Sequence, residues 1–321
     1  ETVMNQLIQQ YKEDAISEES KWCLLSVFSH WVRNYVCDFI RTPFAATLRS
    51  LLPSTEYSEM SEPEQMLSAS LRDIGSLLAI RNRNRNYCPL QTTTSISCHY
   101  FMPSQAQSLA QVLSYFNYLI FSRVSYEELI VINWDKEENR PLTPNIRNMT
   151  DRFNWIGETV CACYNKCPKS EKTRFVEGLI VFMKELQRLK DINFLVSVVY
   201  ILPCLENLDS IRTKKLSEEN QQFLKQIEVT CSFHHNYRYL RQYLQQLETP
   251  YIPFIGILSK DLTLIDEGNP NKLSDGTINL YKWRKVYELI QEVLNAKPTS
   301  PRIECSNEEL QILVQSIYAF K

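Results

Sequence analysis

The sequence contains three closely spaced cysteines and two adjacent histidines, whose side chains are of types that bind metals. Cys161, Cys163 and Cys167 lie in the segment CACYNKC, and His234 and His235 are adjacent to each other further along. Thiolates and imidazoles are common ligands of Zn²⁺, often presented in pairs separated by two residues. These thiols instead follow the apolar stripe of a predicted helix. We interpret them as buried structural cysteines and predict no metal site, with zinc binding as the weaker alternative.

Catalytic motifs of hydrolases and nucleotide-binding enzymes are absent from the sequence. It has no G-x-S-x-G nucleophile elbow, no H-E-x-x-H zinc motif and no glycine-rich phosphate loop. A hydrolase needs a nucleophile, a base and an orienting acid close together. We therefore expect no covalent chemistry and no cofactor, and a metal-binding or hydrolytic enzyme is the least favoured alternative.

One acidic stretch, KDLTLIDEGNPN at Lys260–Asn271, has a pattern that could act on a partner. Its apolar residues are followed directly by Asp266 and Glu267, and then by Gly268-Asn269-Pro270. Glycine and asparagine followed by proline are typical of a helix end. The stretch therefore predicts a short helix with a sharp stop and a carboxylate at its tip.

A second helix is predicted to return from this stop. Its apolar stripe lies within Tyr281–Leu294, and Thr277 or Asn279 is the expected N-cap. The two helices would form a hairpin whose acidic tip could insert into a partner. Because the chain has only 6 glycines, we expect Gly256 and Gly268, both in this region, to be required by a positive φ or a close approach.

The composition is that of a globular protein with a sizeable core and little net charge. Of the 321 residues, 44% are hydrophobic and 22% are charged, and the formal net charge is −2. We predict no nucleic-acid partner, because a broad basic surface is missing. We interpret the 10 cysteines as reduced, mostly buried thiols and predict a cytoplasmic location. The longest apolar segment, Phe194–Leu205, is too short to span a bilayer, so we predict no transmembrane segment.

Helical periodicity dominates the chain. Apolar residues recur every three or four positions in four segments, each of which predicts an amphipathic helix. These segments are Leu109–Ile120, Ile146–Cys163, Phe175–Leu186 and Trp283–Leu294. Alternating, strand-like patterns are scarce. We predict an all-α protein.

Two segments interrupt the helical pattern. Pro53–Pro63 is polar and acidic and is predicted to be a linker or loop. Ile80–Met102 lacks helical periodicity, and its basic run Arg81–Asn86 is interpreted as a solvated loop rather than a phosphate-binding site. These interruptions predict a helical N-terminal module at 1–60, a connector at 61–103 and a larger helical domain at 104–321.

Sequence blocks in the larger domain resemble a known family. The most specific are PYIPFIGILSKDLTLIDEGNP and INLYKWRKVYELIQEV, supported by SLAQVLSYFNYLIFSRVSYEELIVINW, PNIRNMTDRFNWIGETV, EKTRFVEGLIVFMKELQRLKDINFL and NYRYLRQYL. In order and spacing they are similar to the catalytic domain of Ras-type guanine nucleotide exchange factors, the Son-of-Sevenless-like proteins. The resemblance extends from about Ser104 to Ile317.

The N-terminal part resembles the helical module that accompanies this catalytic domain. KWCLLSVFSHWVRNYVCDF, at Lys21–Phe39, is similar to the second half of the Ras exchanger motif. The opening strip of that motif has no counterpart in this sequence. We therefore expect a partial Ras exchanger motif at 1–60.

The resemblance implies an all-α guanine nucleotide exchange factor that acts in Ras signalling. Family members hold a small GTPase in a groove and insert the hairpin, here about Asp261–Leu289, at the first switch and the magnesium site of the GTPase. Two sets of site residues are implied. The catalytic set is Thr263, Leu264, Glu267, Gly268 and Asn269. The GTPase-binding set is Asn193, Val196, Tyr237, Phe254, Asp261 and Leu262.

Several of these residues have a plainer interpretation. Glu267 could be a solvated helix end, Phe254 and Tyr237 could be core residues, and Asn193 could brace a neighbouring loop. The implied partner is a small GTPase of the Ras, Rap or Ral type, and peripheral membrane recruitment is left open. The alternative is a non-catalytic helical scaffold that binds a GTPase without opening it, although a scaffold has no need of an acidic tip.

One segment departs from the family pattern. Tyr200–Asn207, YILPCLEN, is bulkier and more apolar than the segment that faces the GTPase in the family. We expect partner choice or efficiency to differ as a result.

Overall fold

The structure is a computed structural model that describes residues 2–13, 15–34, 39, 43–85, 96–134 and 136–297. The chain divides into two compact units, Glu1–Tyr87 and Cys88–Lys321. The described residues form α-helices, short 3₁₀ helices and two isolated backbone bridges, without a β-strand. The protein is all-α, as predicted. The proposed domain limits 1–60, 61–103 and 104–321 stay a prediction.

The described residues of the first unit form four α-helices around a core of their own. They are α1 (Thr2–Tyr11), α2 (Glu18–Asn34), α3 (Phe44–Arg49) and α4 (Glu62–Arg85). The main packing is between α2 and α4, and it buries Phe28, Val32 and Leu67. This unit therefore has a hydrophobic core separate from that of the second unit.

Helix α4 begins where the predicted interruption Pro53–Pro63 ends. The Ser61 backbone N–H and hydroxyl both donate to the Glu64 carboxylate, at 2.7 and 2.6 Å. Such a contact between the first residues of a helix satisfies a donor that has no partner within the helix. Between α3 and α4, the chain forms only turns and the 3₁₀ helix Tyr57–Glu59.

The far end of α4 corrects one prediction. The helix continues to Arg85, so the expectation of irregular structure from Ile80 onward is wrong for Ile80–Arg85. The interpretation of Arg81–Arg85 as a loop is wrong for the same reason. Asn86 and the rest of that segment up to residue 95 lie outside the described ranges, and Cys98–Phe101 forms a 3₁₀ helix.

The second unit contains ten α-helices among its described residues. They are α5 (Ala106–Phe121), α6 (Tyr126–Leu129), α7 (Pro144–Lys166), α8 (Lys172–Arg188), α9 (Ile192–Ile201), α10 (Leu208–Lys215), α11 (Glu218–Thr230), α12 (His234–Gln246), α13 (Ile255–Gly268) and α14 (Leu280–Asn295). The four segments predicted to be amphipathic helices lie within α5, α7, α8 and α14, and each buries its apolar stripe.

Helix α9 lies at the centre of this unit. All residues of 192–199 are buried, and the helix packs against α7 and α8. A helix that is apolar on every side is stable in water only when neighbouring elements cover every side. The predicted segment Phe194–Leu205 is therefore the middle of the core, and its first half is α9.

Helix α7 starts at a fixed place because a buried carboxylate caps it. Pro144 occupies the first turn, where its missing N–H is not needed. The Glu128 carboxylate accepts hydrogen bonds from the backbone N–H groups of Asn145 and Ile146, at 2.9 and 3.1 Å. Negative charge at a helix N-terminus is favourable because of the helix dipole.

Helices α7 and α9 run in the same direction with a constant register of 44 residues. The Asn193 side-chain amide donates to the carbonyl of Met149 at 3.4 Å. One turn later the Ser197 hydroxyl donates to the carbonyl of Phe153. The next turn brings Gly157 of α7 against α9. This register fixes which residues of the two helices face the same surface.

The N-terminus of α9 is held by a buried aspartate. Asp191 accepts a hydrogen bond from the backbone N–H of Phe194 at 3.0 Å, and the Asn117 amide donates to both carboxylate oxygens at 2.9 and 3.0 Å. The backbone of Ile252 pairs with the chain at the start of α9. Its N–H donates to the carbonyl of Lys190, and its carbonyl accepts from the N–H of Ile192. The start of α9 is thereby joined to the segment that leads into α13.

The described ranges contain no single helix that is long and apolar enough to cross a bilayer. Ile192–Cys204 and Leu208–Lys215 together meet the length and composition requirement but are bent by 97°. The first member of this pair includes α9, which is the buried core helix.

Gly178 on α8 allows a very close approach by the 3₁₀ helix Cys98–Phe101. A Cβ atom added to Gly178 would lie 1.8 Å from the Phe101 carbonyl oxygen and 2.8 Å from the Met102 carbonyl carbon. Both are backbone atoms, which cannot move aside as a side chain can. A side chain at this position is incompatible with the observed packing.

We predict that Gly178→Ala lowers the free energy of unfolding by about 2 to 3 kcal/mol, because the methyl group forces α8 and the 3₁₀ helix apart. Urea unfolding measures the change. Gly268→Ala is the matched control, because a Cβ there meets no atom within 4 Å and the substitution should not destabilise the protein. Equal stability of the two variants would contradict the assigned close approach.

A second prediction concerns Asp191 and pH. Burial raises the pKa of Asp191 from 3.8 to about 6, against the lowering effect of its hydrogen bonds and of Arg152. The folded protein therefore holds this proton at pH values where the unfolded chain has lost it. The stabilisation of the folded protein by protonated Asp191 is therefore complete below about pH 4 and is lost as pH rises through about 6.

The measurement is the difference in unfolding free energy between the wild type and Asp191→Asn from pH 4 to 7. The wild type should lose about 3 kcal/mol relative to the variant over this range, at 1.36 kcal/mol per pKa unit. Asn retains an oxygen that accepts the Phe194 N–H, so the cap persists. A difference that does not change with pH would contradict the prediction.

Candidate functional site

The predicted hairpin is present and consists of α13 and α14. Helix α13 ends at Gly268, so the sharp stop read from Gly-Asn-Pro is confirmed. Asn279 is the N-cap of α14, with its side-chain oxygen accepting from the Lys282 N–H at 3.2 Å. Thr277 is not the cap, because its N–H and hydroxyl both donate to Asp275. The hairpin is joined to the core through Leu262, Val286 and Ile290.

The end of α13 exposes an acidic side chain. Glu267 and Gly268 are exposed, and within the described residues the Glu267 carboxylate has no hydrogen-bond or ion-pair partner. Leu264, one turn earlier, is 52% exposed. The hairpin therefore presents a free carboxylate beside an apolar side chain, which is the combination that the sequence predicts for the tip.

The other predicted tip residues are tied into the helix end. The Thr263 hydroxyl donates to the carbonyl of Ser259 at 2.9 Å, and the Asn269 amide donates to the carbonyl of Ile265 at 3.0 Å. Asn269 thereby satisfies a carbonyl at the C-terminus of α13 that no residue of the helix can reach. Gly268 has neither a positive φ nor a crowded surrounding, so the prediction of a backbone requirement is wrong there.

Aromatic rings form a cluster beside the base of the hairpin. Phe254 precedes α13 and stacks on Phe153 of α7, with centroids 5.2 Å apart. Tyr200 and Tyr237 approach the Phe254 ring edge-on, at 6.2 and 5.8 Å. Gly256 permits this arrangement, because a Cβ atom there would lie 2.3 Å from the Phe254 ring. The close approach predicted for Gly256 is confirmed.

Tyr237 reaches this cluster from a left-handed turn. His235, Asn236 and Tyr237, at the start of α12, have φ values of 49°, 56° and 61°. Non-glycine residues in this conformation are unfavourable by about 1 to 2 kcal/mol each. The ring of Tyr237 packs against Phe254, and the Lys260 ammonium lies 5.5 Å from its centroid. These contacts help to offset the backbone strain.

An ion pair links this turn to the hairpin. The Arg241 guanidinium donates to both carboxylate oxygens of Asp261, at 2.7 Å each, and also to the carbonyl of Asn236 at 2.8 Å. The Asp261 side chain is 17% exposed. Arg241 therefore connects the left-handed turn to α13, and the predicted binding residue Asp261 already has a strong internal partner.

A cavity of about 450 Å³ opens between α7 and α13. Its wall includes Phe153 and Phe254 from the aromatic cluster, together with Trp134, Arg147 and Asn193. The surface next to the hairpin is thus concave and combines apolar rings with polar groups. This is the composition expected of a binding groove.

Four of the predicted GTPase-binding residues are buried, and one of them, Phe254, is 8% exposed and belongs to the hydrophobic core, as in its plainer interpretation. Val196 is fully buried, and Leu262 and Asn193 are each 1% exposed. The Asn193 amide donates to the Met149 carbonyl within helix α7, so it braces a helix and not the neighbouring loop of the alternative interpretation, and Asn193 also borders the cavity. Phe254 and Asn193 therefore border the cavity, Tyr237 contacts Phe254, Asp261 is linked to the turn before Tyr237 through Arg241, and Val196 and Leu262 lie in the hydrophobic core.

The family description “RasGEF domain” matches residues 108–284, which is more than half of the chain. This chain belongs to the RasGEF family. The matched region runs from α5 into α14 and contains every predicted site residue. It starts after the first unit, so the likeness of Lys21–Phe39 to the Ras exchanger motif stays a prediction.

Proteins similar to this chain are named as Ras guanine nucleotide-releasing or exchange factors. The chain is 23% identical over 315 residues to Ras-specific guanine nucleotide-releasing factor 2 of Mus musculus, covering 94% of this chain and 26% of that protein. It is 23% identical over 337 residues to factor 1 of Homo sapiens, covering 96% and 24%. Ras guanine nucleotide exchange factor P of Dictyostelium discoideum is 26% identical over 211 residues, covering 64% and 14%. The chain spans about a quarter of the length of the first two relatives.

The cysteines and histidines of this RasGEF chain do not form a metal centre in the part of the chain that the structure describes. Cys163 and Cys167 are buried as predicted, and the Cys163 thiol donates to the carbonyl of Ile96 at 3.1 Å. Burial raises the pKa of Cys163 to about 12, so the thiol stays protonated. Of the seven described cysteines, all are free and three are buried, so the expectation of mostly buried thiols is wrong for this set. His234 and His235 are exposed.

The unusual segment Tyr200–Asn207 turns its apolar bulk inward. Leu202 and Leu205 are buried in the core, whereas Cys204, Glu206 and Asn207 are exposed. Tyr200 is the member of this segment that reaches the aromatic cluster. The expected difference in partner choice or efficiency stays a prediction.

Two residues important to the site had no role predicted from the sequence. Arg241 holds Asp261, and its sequence signal is its place in the block NYRYLRQYL that resembles the family. Lys282 is 1% exposed on the core-facing side of α14. A lysine in the apolar stripe of α14, four residues before Val286, is the signal that could have identified it.

We predict that Arg241 and Asp261 are energetically coupled by about 1 kcal/mol or more, because the pair is bidentate and partly buried. The measurement is a double-mutant cycle in urea with Arg241→Met and Asp261→Asn. The matched control is the exposed pair Arg284 and Glu288, four residues apart on α14, for which about 0.3 to 0.5 kcal/mol is expected. Coupling no larger than in the control would contradict the assigned link.

Proposed function

We propose that this RasGEF domain stimulates GDP release from a Ras-superfamily small GTPase by inserting the α13–α14 hairpin at the first switch and magnesium site of the GTPase. Family membership and the printed names of the relatives support exchange activity. Those names also favour a GTPase of the Ras type over the Rap and Ral types. The observation that carries the proposal is the free, exposed Glu267 carboxylate at the end of a helix whose first turn borders a concave aromatic groove.

The tip residues would act on the nucleotide site of the GTPase. The Glu267 carboxylate would compete with nucleotide phosphate for the positively charged groups that bind it. Leu264, together with the Thr263 methyl group, would occupy the space of the magnesium ion and would offer it no ligand. Both effects weaken nucleotide binding without any covalent step. The work of displacing the first switch needs a stiff hairpin, which the buried contacts of Leu262 with α14 support.

The groove would hold the second switch of the GTPase. Phe254 and Tyr237 supply an aromatic wall whose rings are fixed by mutual packing, so little side-chain entropy is lost on binding. Asp261 would act through its ion pair with Arg241, which fixes the angle between α12 and α13. Val196, Leu262 and Asn193 would support the groove from beneath, because their side chains are buried.

The energetics follow from linkage. The exchange factor and the nucleotide each bind the GTPase, and each must lower the affinity of the other by the same factor. Each 1.4 kcal/mol or so by which the exchange factor lowers the activation free energy of nucleotide release raises the release rate tenfold. An acceleration of about five decades therefore requires about 7 kcal/mol, which a large groove and an inserted hairpin can supply.

The test is release of fluorescent GDP from a panel of Ras, Rap and Ral GTPases. We expect the wild type to accelerate release from at least one of them. Glu267→Ala should lower the maximal release rate about tenfold or more, because one charged contact is worth about 1.5 to 3 kcal/mol. Its affinity for the nucleotide-free GTPase should change less. Glu292→Ala, at the exposed base of α14, is the matched control and should behave as the wild type.

Phe254→Ala should mainly weaken binding, by about tenfold or more, because a buried aromatic anchor is lost. Phe254→Leu, which disturbs the fold less, should show a smaller loss of the same kind. The control is Phe233→Ala, an aromatic residue that is 65% exposed and outside the groove. Wild-type activity in both the Glu267 and the Phe254 variants would refute the residue assignments. Tight binding without accelerated release on every GTPase would support a non-catalytic scaffold instead.

A further inference from the structure

The hairpin contains one charged residue on its core-facing side. Helix α14 buries Val286, Ile290 and Val293 against the second unit's core, and Lys282 continues that stripe toward the tip. The Lys282 side chain is 1% exposed. A lysine is almost never so buried unless its ammonium group is fully paired.

The Lys282 ammonium is fully paired with three acceptors. Its Nζ atom donates to Asp266 Oδ1 at 2.6 Å, to the Asp266 carbonyl oxygen at 3.2 Å and to Asn271 Oδ1 at 2.6 Å. An ammonium group has three N–H donors, so none is left without an acceptor. One atom thereby connects the last turn of α13, the connection that follows it and the first turn of α14.

Asn279 adds a second set of contacts at the same place. Its side-chain amide donates to the carbonyl of Pro270 at 3.0 Å, and its backbone N–H donates to the carbonyl of Asn271 at 3.0 Å. Its side-chain oxygen caps α14 at the Lys282 N–H. The connection between the helices is therefore fixed from both sides of Lys282.

The position of the acidic tip depends on these contacts. Asp266 is bonded to Glu267 in the chain, and the Lys282 ammonium holds both its carboxylate and its carbonyl. The carbonyl lies in the last turn of α13, where a cation also interacts favourably with the helix dipole. Glu267 itself has no such contact, so its direction is set by its neighbour.

We propose that Lys282 is the positioning residue of the hairpin, which aims the Glu267 carboxylate by holding Asp266 and Asn271. This role rests on the exchange function proposed above. Lys282 touches neither the GTPase nor the nucleotide and acts through Glu267. Loss of the ammonium should therefore slow nucleotide release while leaving the affinity of the groove for the GTPase nearly unchanged.

The test compares Lys282→Met with the control Lys285→Met. Met fills the space of the lysine stem, and Asp266 is 34% exposed, so it can be hydrated once the ammonium is gone. We expect the maximal GDP release rate to fall about 10- to 100-fold, as small misplacements of an acting group do, with less than a threefold change in affinity. Lys285, on the same helix, is 49% exposed, and its variant should match the wild type.

Asn271→Ala is a milder variant that removes one of the three acceptors from the exposed connection. It should slow release in the same direction by a smaller factor, and it keeps the test valid if Lys282→Met does not fold. Thermal unfolding of each variant shows whether that variant is folded. Equal loss of release rate and of affinity in either variant would overturn the positioning role.

A double variant tests whether Lys282 acts through Glu267. In a Glu267→Ala background, Lys282→Met should slow release by less than about twofold further, because the group that it aims is already missing. Full additivity would mean that Lys282 acts independently and would overturn the proposal.

Hydrogen exchange separates failure of this proposal from failure of the exchange function. Lys282→Met should increase exchange of the backbone amides at 268–280, but not of those in α8, in the absence of any GTPase. If the wild type releases GDP from no GTPase, the exchange function fails, and this measurement still decides whether Lys282 holds the hairpin. Unchanged exchange at 268–280 would overturn the positioning role even if the wild type is active.

Discussion

The second unit depends on the complete burial of α9. Because this mostly apolar helix is buried on all sides, α7 and α8 must cover it, and the hydrogen bonds from its two polar residues, Asn193 and Ser197, then fix α7 in a single register. That register places Phe153 where it stacks on Phe254. The groove and the base of the hairpin are thus consequences of how one apolar helix is covered. Asp191 completes the arrangement by joining the start of α9 to the chain before α13.

The hairpin combines a fixed base with a free end. Its apolar contacts and the ion pairs of Asp261 and Asp266 lie on the side toward the protein, whereas the unpaired Glu267 carboxylate and the Arg284–Glu288 pair lie on the side toward solvent. In the proposed mechanism, such a division suits an element that enters another protein without changing shape. It also explains why some residues of the family pattern are buried: a rigid contact surface needs support that never touches the partner.

Much of the fold could be predicted from the sequence, because helix periodicity and helix-end signals are local. The stripes of α5, α7, α8 and α14, the stop at Gly268 and the Asn279 cap each depend on a few neighbouring residues. Ile80–Arg85 was mispredicted because a helix can continue through a polar run that has no apolar period. The partners of Lys282 and Arg241 lie 11 to 20 residues away in the chain, and no local pattern specifies them. Burial of Val196 beneath the groove likewise depends on packing that only the assembled core defines.

The left-handed turn at His235–Tyr237 has a consequence for how this surface can change. Three successive residues with positive φ point their side chains in directions that a continuous right-handed helix would not allow. β-Branched residues are especially disfavoured in that backbone conformation. Sequence drift at these positions is therefore confined to residue types that tolerate it, such as asparagine, aspartate, histidine and glycine. At Tyr237 the backbone alone favours a residue without an aromatic ring, so the contact between this ring and Phe254 is what opposes such a substitution.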